Sequence, residues 1–240
     1  MEPTRIPTHV AIIVDGNRRW ARQRGMFASL GHKAGFERLK EITRYALSEC
    51  GVKVLSLYVF STENFSRDAK EVGYLMDLFA NNFKSIAEEM NERDCKVLFS
   101  GRREGLQKRV CDAMDYMMDL TKENKTGIVN FCLNYGGHAE LTDAMRAIAA
   151  EVQAGSLSPA DITEQTIQHH LYQDLPPVDF LIRTSGELRL SNFLLWQVAY
   201  AEFYVTPTLF PDFTKAEFDT ALAEYAKRDR RMGGNTKKKT

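Results

Sequence analysis

Short apolar runs alternate with stretches of helical spacing along most of the chain. The first run, residues 10–14, holds only Val, Ala and Ile and predicts a strand buried on both faces. Further strands are predicted at 52–60, 97–99, 128–133, 178–182 and 203–205. Phe36, Leu39, Ile42, Ala46 and Leu47 recur at helical spacing and predict a helix over 36–49, with Gly51 as its stop. Val72, Leu75, Met76, Phe79, Phe83, Ile86 and Met90 form the apolar stripe of a long helix over 72–90. Leu106, Val110, Met114 and Met117 mark another helix, and residues 139–152 a further one. Ser158 with Asp161 suggests a helix start nearby, and Thr214 with Glu217 has the capping-box spacing that opens the last helix. Six strands interleaved with helices argue for a single α/β domain, with a mainly parallel six-stranded sheet flanked by helices on both sides. The stripe on 72–90 suits an ordinary core helix first, and the wall of an apolar tunnel second.

Composition changes this picture little. The chain has 240 residues, 44% apolar and 27% charged, enough for a sizeable core. Lys plus Arg equals Asp plus Glu, 32 of each, so nothing points to nucleic acid as a partner. Locally the balance breaks. Arg18, Arg19, Arg22, Arg24 and Lys33 stand near Asp15 alone, and seven basic residues face only Asp229 over 227–240. Residues 235–240 read as a basic, solvated tail on a domain spanning 1–234. Cys50, Cys95, Cys111 and Cys132 form no C-x-x-C pair and read as free thiols in a reducing compartment. No signal peptide is evident, and the longest uncharged apolar-rich run, 190–201, has 12 residues, too few to cross a bilayer. A cytoplasmic protein is expected, and a peripheral membrane contact is compatible with it.

The chemistry gathers where the strands end. Strand 10–14 stops at Asp15, followed by Gly16, Asn17, Arg18 and Arg19. In an open α/β sheet the carboxyl ends of the strands face the ligand crevice. An acid there can hold a metal, and a glycine lets backbone N–H groups approach a phosphate. Ser61 to Arg67 follow the second strand, Asn134 to Gly137 the fourth, Arg183 to Asn192 the fifth, and Glu202 stands at the last. A parallel sheet would bring all of these to one edge. Arg183, Arg189 and Ser191 have the guanidinium forks and hydroxyl that grip a diphosphate. His32 reads as a phosphate donor or as a structural histidine. The adjacent His169 and His170 cannot face one metal, and Asp112, Asp115 and Asp119 form a solvated helix face. The acid-rich motif of trans-type prenyl synthases, the Walker A sequence and G-x-G-x-x-G are all absent.

HVAIIVDGNRRWA (9–21), GHKAG (31–35), FSTENFSR (60–67), NYGG (134–137) and IRTSGELRLSNFLLWQVAYAEFY (182–204) resemble, in order and over almost the whole chain, the motifs of the cis-prenyltransferases of the undecaprenyl diphosphate synthase type. The resemblance implies condensation of isopentenyl diphosphate onto an allylic diphosphate, usually farnesyl diphosphate, with a Z double bond formed at each addition. The product would be a Z-polyprenyl diphosphate such as undecaprenyl diphosphate, the lipid-carrier precursor for cell-wall synthesis, and the chain would grow in an apolar tunnel. It implies magnesium (Mg2+) as cofactor and a homodimer. By position, Asp15 matches the metal-binding catalytic acid and Glu202 a second acid, one that the resemblance allows to serve the metal from the partner subunit. Gly16, Asn17, Arg18, Arg19 and Trp20 match the allylic diphosphate site, and His32 a histidine near it. Ser61 and Asn64 match polar residues near the condensation and proton-loss step, while Phe65, Arg67 and Glu71 match the substrate-binding segment that follows. Arg183, Arg189 and Ser191 match the isopentenyl diphosphate clamp, and Arg231-Met232-Gly233 resembles a C-terminal R-x-G. Ala28, Asp68, Arg102 and His138 depart from the family pattern.

Three other readings compete. A shorter-chain Z-prenyl diphosphate synthase would share every motif. A non-catalytic partner subunit would be expected to lose the acid and the arginines, and this chain keeps Asp15, Asn17, Arg19, Arg183, Arg189 and Ser191. A phosphatase with an aspartate nucleophile wants a second acid two residues on, where Asn17 stands.

Overall fold

Residues 5–229 are described by the structure, a computed structural model. Tail residues 235–240 and Arg231-Met232-Gly233 lie outside them. Six strands, β1 (His9–Ile13), β2 (Val54–Ser61), β3 (Cys95–Ser100), β4 (Gly127–Tyr135), β5 (Phe180–Arg183) and β6 (Glu202–Val205), form one sheet in the order β3-β4-β2-β1-β5-β6. Every pairing is parallel. The helices are α1 (Asn17–Gln23), α2 (Ala28–Ser48), α3 (Ala69–Glu92), α4 (Lys108–Thr121), α5 (Gly137–Gln153), α6 (Glu164–His169) and α7 (Lys215–Ala226). The expected α/β domain is therefore observed.

Strand burial follows from the apolar runs. All five residues of β1 are buried. Val10, Ile12, Leu55, Leu57, Val97, Phe99, Val129, Phe131, Phe180 and Ile182 face one side, where α2, α3, α4 and α7 supply the rest of the core. Ala11, Ile13, Tyr58, Cys132 and Leu181 face the other, against Phe193, Leu194 and Val198. That second cover is an irregular segment rather than a helix. The 12-residue uncharged run is thus explained as a plug on the sheet.

Helix α2 begins eight residues before the predicted position, at Ala28. The GHKAG motif is helical, and its glycines serve packing. A Cβ on Gly31 would sit 2.1 Å from the Asn17 carbonyl oxygen, and one on Gly35 2.2 Å from Asn17 Oδ1. Only bare backbone lets α1 and α2 approach this closely. Helix α1 has no counterpart in the predicted elements, since its 7 residues are too few to show a period. Thr214 caps α7 through the Glu217 N–H, but the Glu217 side chain turns to Thr206 and Thr208 instead of completing the box. The Ser158–Asp161 signal opens only a short 3-10 turn, and α6 starts after Thr163.

A buried polar chain crosses the sheet. His9 Nδ1 meets the Pro176 carbonyl at 2.7 Å, so this nitrogen must be the donor and Nε2 must accept from Ser56 Oγ at 2.9 Å. Ser56 accepts from Asn130 Nδ2, and Asn130 Oδ1 accepts from Ser100. Four strands are tied by side chains whose burial would cost free energy if any were unpaired. Burial pushes the His9 imidazole down from 6.5 to about 4. The unfolded chain therefore binds a proton that the folded chain resists between these values, so stability falls as pH drops through that window. The expected slope from His9 is about 1.4 kcal/mol per pH unit. Denaturant unfolding of wild type and His9→Gln across the window should show the slope flattened in the variant; equal slopes would reject the assignment.

Candidate active site

The strand order reverses direction between β1 and β5, since the chain leaves β1 towards β2 and later returns to β1's other side. Ligand crevices open at such switch points, outside the carboxyl ends of the strands. Here those ends carry Asp15 and Arg183, and a cavity of about 1090 Å³ opens over them. One part of its wall is polar: Asp15, Asn17, Arg18, Arg19, His32, Ser61, Asn64, Arg67, Arg183, Arg189 and Ser191. The other is apolar: Phe36, Leu39, Val59, Leu75, Leu78, Phe79 and Phe210. Helix α3 belongs to the core and also contributes to the cavity wall. Leu75 and Phe79 line the cavity, while Phe83, Ile86 and Met90 lie in the core.

Arg183 is the centre of the polar wall. Its side chain is only 5% exposed, and Nη2 lies 3.0 Å from Asp15 Oδ2. Nη1 donates to Ser191 Oγ at 2.8 Å and to the Arg189 carbonyl. Asp15 is held at its backbone too: its N–H donates to Thr184 Oγ1, and its carbonyl accepts from Thr184 Oγ1 and the Phe210 N–H. Gly16, at φ 110°, turns the chain from β1 into α1 at a value an L side chain rarely adopts. Arg19 donates to Ser185 through both terminal nitrogens and lies 3.6 Å from Asp15 and 3.4 Å from Glu187. Arg189 meets Glu187 at 2.6 Å. Arg183 Nε and Asn17 Oδ1 are buried with no hydrogen-bond partner among the described residues.

The second wall comes from the segment after β2. The register of β2 on β4 shifts between Tyr58 and Ser61, a bulge that re-aims the strand end. Ser61 and Asn64 cap each other across a short 3-10 turn, with the Ser61 N–H donating to Asn64 Oδ1 at 3.1 Å. Buried His32 meets Glu71 at 3.1 Å, and Glu71 also pairs with Arg67 and Arg18. Burial lowers the His32 imidazole pKa, against the opposing pull of Glu71.

Four expected site residues are placed differently. Glu202 opens β6 opposite Phe180, three residues before the Val205 that pairs with Arg183. In a parallel sheet that is the far edge, about 10 Å from the crevice, and Glu202 pairs there with Arg228. It cannot share an ion with Asp15 of its own chain. Trp20 is turned from the cavity, its indole donating to Asp212 at 2.7 Å beneath the Arg24 guanidinium. Phe65 packs edge-on against Phe60 and does not line the cavity. Glu71 stands just behind the lining, through His32, Arg18 and Arg67. Of the departures, Ala28 lines the cavity, Asp68 caps α3 through the Lys70 N–H, and Arg102 grips Asp143 with two 2.8 Å bonds. The solvated reading of Asp112, Asp115 and Asp119 holds, since each pairs with a surface cation. Glu63 and Asn192 also face the cavity and were not singled out from sequence; their only signal was their place inside two strand-end clusters.

Asp15 fits one role in metal binding. No group of three or more His, Cys, Asp and Glu side chains gathers among the described residues. Asp15 Oδ1 makes no hydrogen bond among them, and its side chain is 30% exposed at the cavity. Magnesium commonly takes one or two carboxylates and fills its other positions with water and phosphate oxygens. The donor set suits an ion that arrives with a diphosphate.

Comparison with known proteins agrees with this geometry. Residues 13–233 match the family described as "Putative undecaprenyl diphosphate synthase". The chain is 48% identical over 233 residues to the isoprenyl transferase of Streptococcus pyogenes serotype M1, covering 95% of this chain and 93% of that one. It is 48% identical over 230 residues to the trans,polycis-polyprenyl diphosphate synthase ((2Z,6E)-farnesyl diphosphate specific) of Thermobifida fusca, covering 95% and 81%. Among solved structures it resembles lavandulyl diphosphate synthase from Lavandula x intermedia in complex with dimethylallyl diphosphate, with a TM-score of 0.92, 40% identity and 95% and 98% coverage. The parallel sheet, the diphosphate-suited polar wall and a match running through nearly all of the chain lead to one assignment: this protein belongs to the undecaprenyl diphosphate synthase family of isoprenyl transferases.

Proposed function

We propose that the chain condenses isopentenyl diphosphate with an allylic diphosphate, farnesyl diphosphate first among them, to give a Z-polyprenyl diphosphate such as undecaprenyl diphosphate. The observation that carries this is the juxtaposition of Asp15, Arg19 and Arg183 at the mouth of a cavity whose other wall is apolar. A diphosphate needs cations and donors, and a prenyl chain needs a dry surface. Gly16, Asn17, Arg18 and Arg19 are assigned to the allylic diphosphate, with His32 supporting them through Glu71. Arg183, Arg189 and Ser191 are assigned to the isopentenyl diphosphate. The allylic C–O bond breaks, the allylic carbon bonds to the terminal alkene carbon of isopentenyl diphosphate, and one proton leaves the isopentenyl unit. Charge developing on the departing diphosphate faces fixed guanidiniums, the arrangement that stabilises a transition state most. A magnesium ion bound by Asp15 and diphosphate oxygens would add further positive charge there. Ser61 and Asn64 hold each other on the wall beside the reacting carbons.

The shorter-chain reading draws on the likeness to lavandulyl diphosphate synthase, whose structure holds dimethylallyl diphosphate. Chromatography of the product against polyprenol standards separates the two. A homodimer is proposed as the working assembly, using the exposed Leu188 and Phe203 beside the β6 edge; a role for Glu202 in metal binding survives only there. No helix among the described residues is long and apolar enough to span a membrane. Phe27, 83% exposed beside the cavity-lining Met26 and in sequence between the cations Arg22 and Lys33, is the proposed contact with an anionic membrane surface.

Purified protein with Mg2+, farnesyl diphosphate and radiolabelled isopentenyl diphosphate is expected to yield an extractable polyprenyl diphosphate. Asp15→Ala and Asp15→Asn should each lower kcat at least 100-fold, about 2.7 kcal/mol of lost transition-state stabilisation, with circular dichroism unchanged. No incorporation by wild type with any allylic primer would refute the activity, and a near-normal Asp15→Asn rate would place the metal elsewhere. Separately, Arg189→Ala should raise the KM for isopentenyl diphosphate about tenfold, with a smaller change for the allylic substrate. An unchanged value would remove Arg189 from the clamp.

A further inference from the structure

Ser191, Asn192 and Leu194 all sit at positive φ, 51°, 64° and 45°. Asparagine tolerates this region, but leucine and serine are uncommon there, and such a run persists only when its surroundings over-determine it. The determining contacts converge on Asn192. Its Oδ1 accepts from the His138 N–H at 2.8 Å, its Nδ2 donates to Glu63 Oε1 at 2.9 Å, and its backbone carbonyl accepts from the Gly137 N–H at 2.7 Å. The amide orientation is settled by chemistry. A backbone N–H can only donate, so Oδ1 must face His138, which leaves the donor end for the Glu63 carboxylate. Space for it is made by Gly136, where a Cβ would lie 2.7 Å from Asn192 Nδ2 and 2.8 Å from Thr62 Oγ1. Three segments that follow different strands, 61–66, 135–138 and 189–194, are thus joined through one side chain. The neighbouring residue, Ser191, accepts the 2.8 Å bond from Arg183 Nη1.

We propose that Asn192 is a positioning residue of the isopentenyl diphosphate site: its tie to Glu63 holds the Ser191 hydroxyl at the Arg183 guanidinium and keeps the clamp in register with the wall that carries Ser61 and Asn64. Glu63 is well suited as the anchor. Partial burial works against its carboxylate, yet hydrogen bonds, that of Asn192 foremost, bring its pKa below the usual carboxylate value. The anchor therefore stays an acceptor at neutral pH. Tyr58 reinforces the same segment from below, its hydroxyl meeting the Ser191 carbonyl at 3.2 Å and its ring stacked on Phe193 at 4.4 Å. The inference rests on the assignment of Arg183 and Ser191 to isopentenyl diphosphate.

The test exchanges donor and acceptor. Asn192→Asp keeps the acceptor for His138 but sets a second carboxylate against Glu63. It should raise the KM for isopentenyl diphosphate about tenfold or more, with kcat and the allylic KM changed less, and weaken binding of inorganic diphosphate by a similar factor in calorimetry. Combining it with Glu63→Gln should restore both values to within about threefold of wild type, because the amide introduced at 63 donates back to the carboxylate introduced at 192. Glu63→Ala, a change at an exposed residue, should show the same KM shift at an unchanged melting temperature. A normal KM in Asn192→Asp or Glu63→Ala, or a double variant no better than Asn192→Asp, would overturn the proposal. Absence of isopentenyl incorporation by wild type would instead strike the functional assignment, leaving the inorganic diphosphate titrations to decide on the tie.

Discussion

The site is built around one buried cation. Arg183 ends a strand in the interior of the sheet, where an unpaired guanidinium would carry a desolvation cost of several kcal/mol. Asp15, at the end of the adjacent parallel strand, supplies the compensating charge. Such a pair is weak evidence for stability, since its attraction and its desolvation nearly offset. Its value lies in constraint. Arg183 Nη1 takes both the Arg189 carbonyl and the Ser191 hydroxyl, so the loop after β5 folds around the guanidinium rather than into solvent. Breaking the pair would cost more than the pair contributes, because one charge would remain buried without a partner.

Around that constraint the two kinds of surface a prenyl diphosphate requires are supplied by different elements. Strand ends contribute the charges, because parallel strands all finish at the same edge. Helices α2 and α3 contribute the apolar wall, because their stripes face the sheet and continue beyond its end. The approach of α2 to Asn17 depends on Gly31 and Gly35, spaced four apart on one helix face. The GHKAG motif thus acts chiefly as a packing device. Its histidine, also buried, bridges to α3 through Glu71.

Much of this was legible in advance, and the failures have identifiable causes. The strands read well because strands buried on both faces are continuous apolar runs. The beginning of α2 was missed because Ala28, Ser29, Gly31 and Lys33 carry no apolar period; that turn is helical because it packs on α1. Glu202 was assigned to the wrong edge because a four-residue strand gives no sign of which of its ends meets the crevice, and only its register on β5 shows it. Trp20 follows two site arginines in sequence but points elsewhere, as helical geometry turns successive residues by about 100°.

The chain by itself determined the alternation of elements, the parallel sheet, the cluster of anion-binding groups at strand ends and the family. These are local or additive properties: a run of Val and Ile buries wherever it lies, and an arginine is cationic in any context. The tertiary structure alone decided which polar residues meet. That Arg183 faces Asp15 across 168 residues, that Asn192 reaches Glu63 across 129, and that Glu202 lies at the opposite edge depend on strand order and register. Strand order and register are cooperative outcomes of the whole core, which no short stretch of sequence encodes.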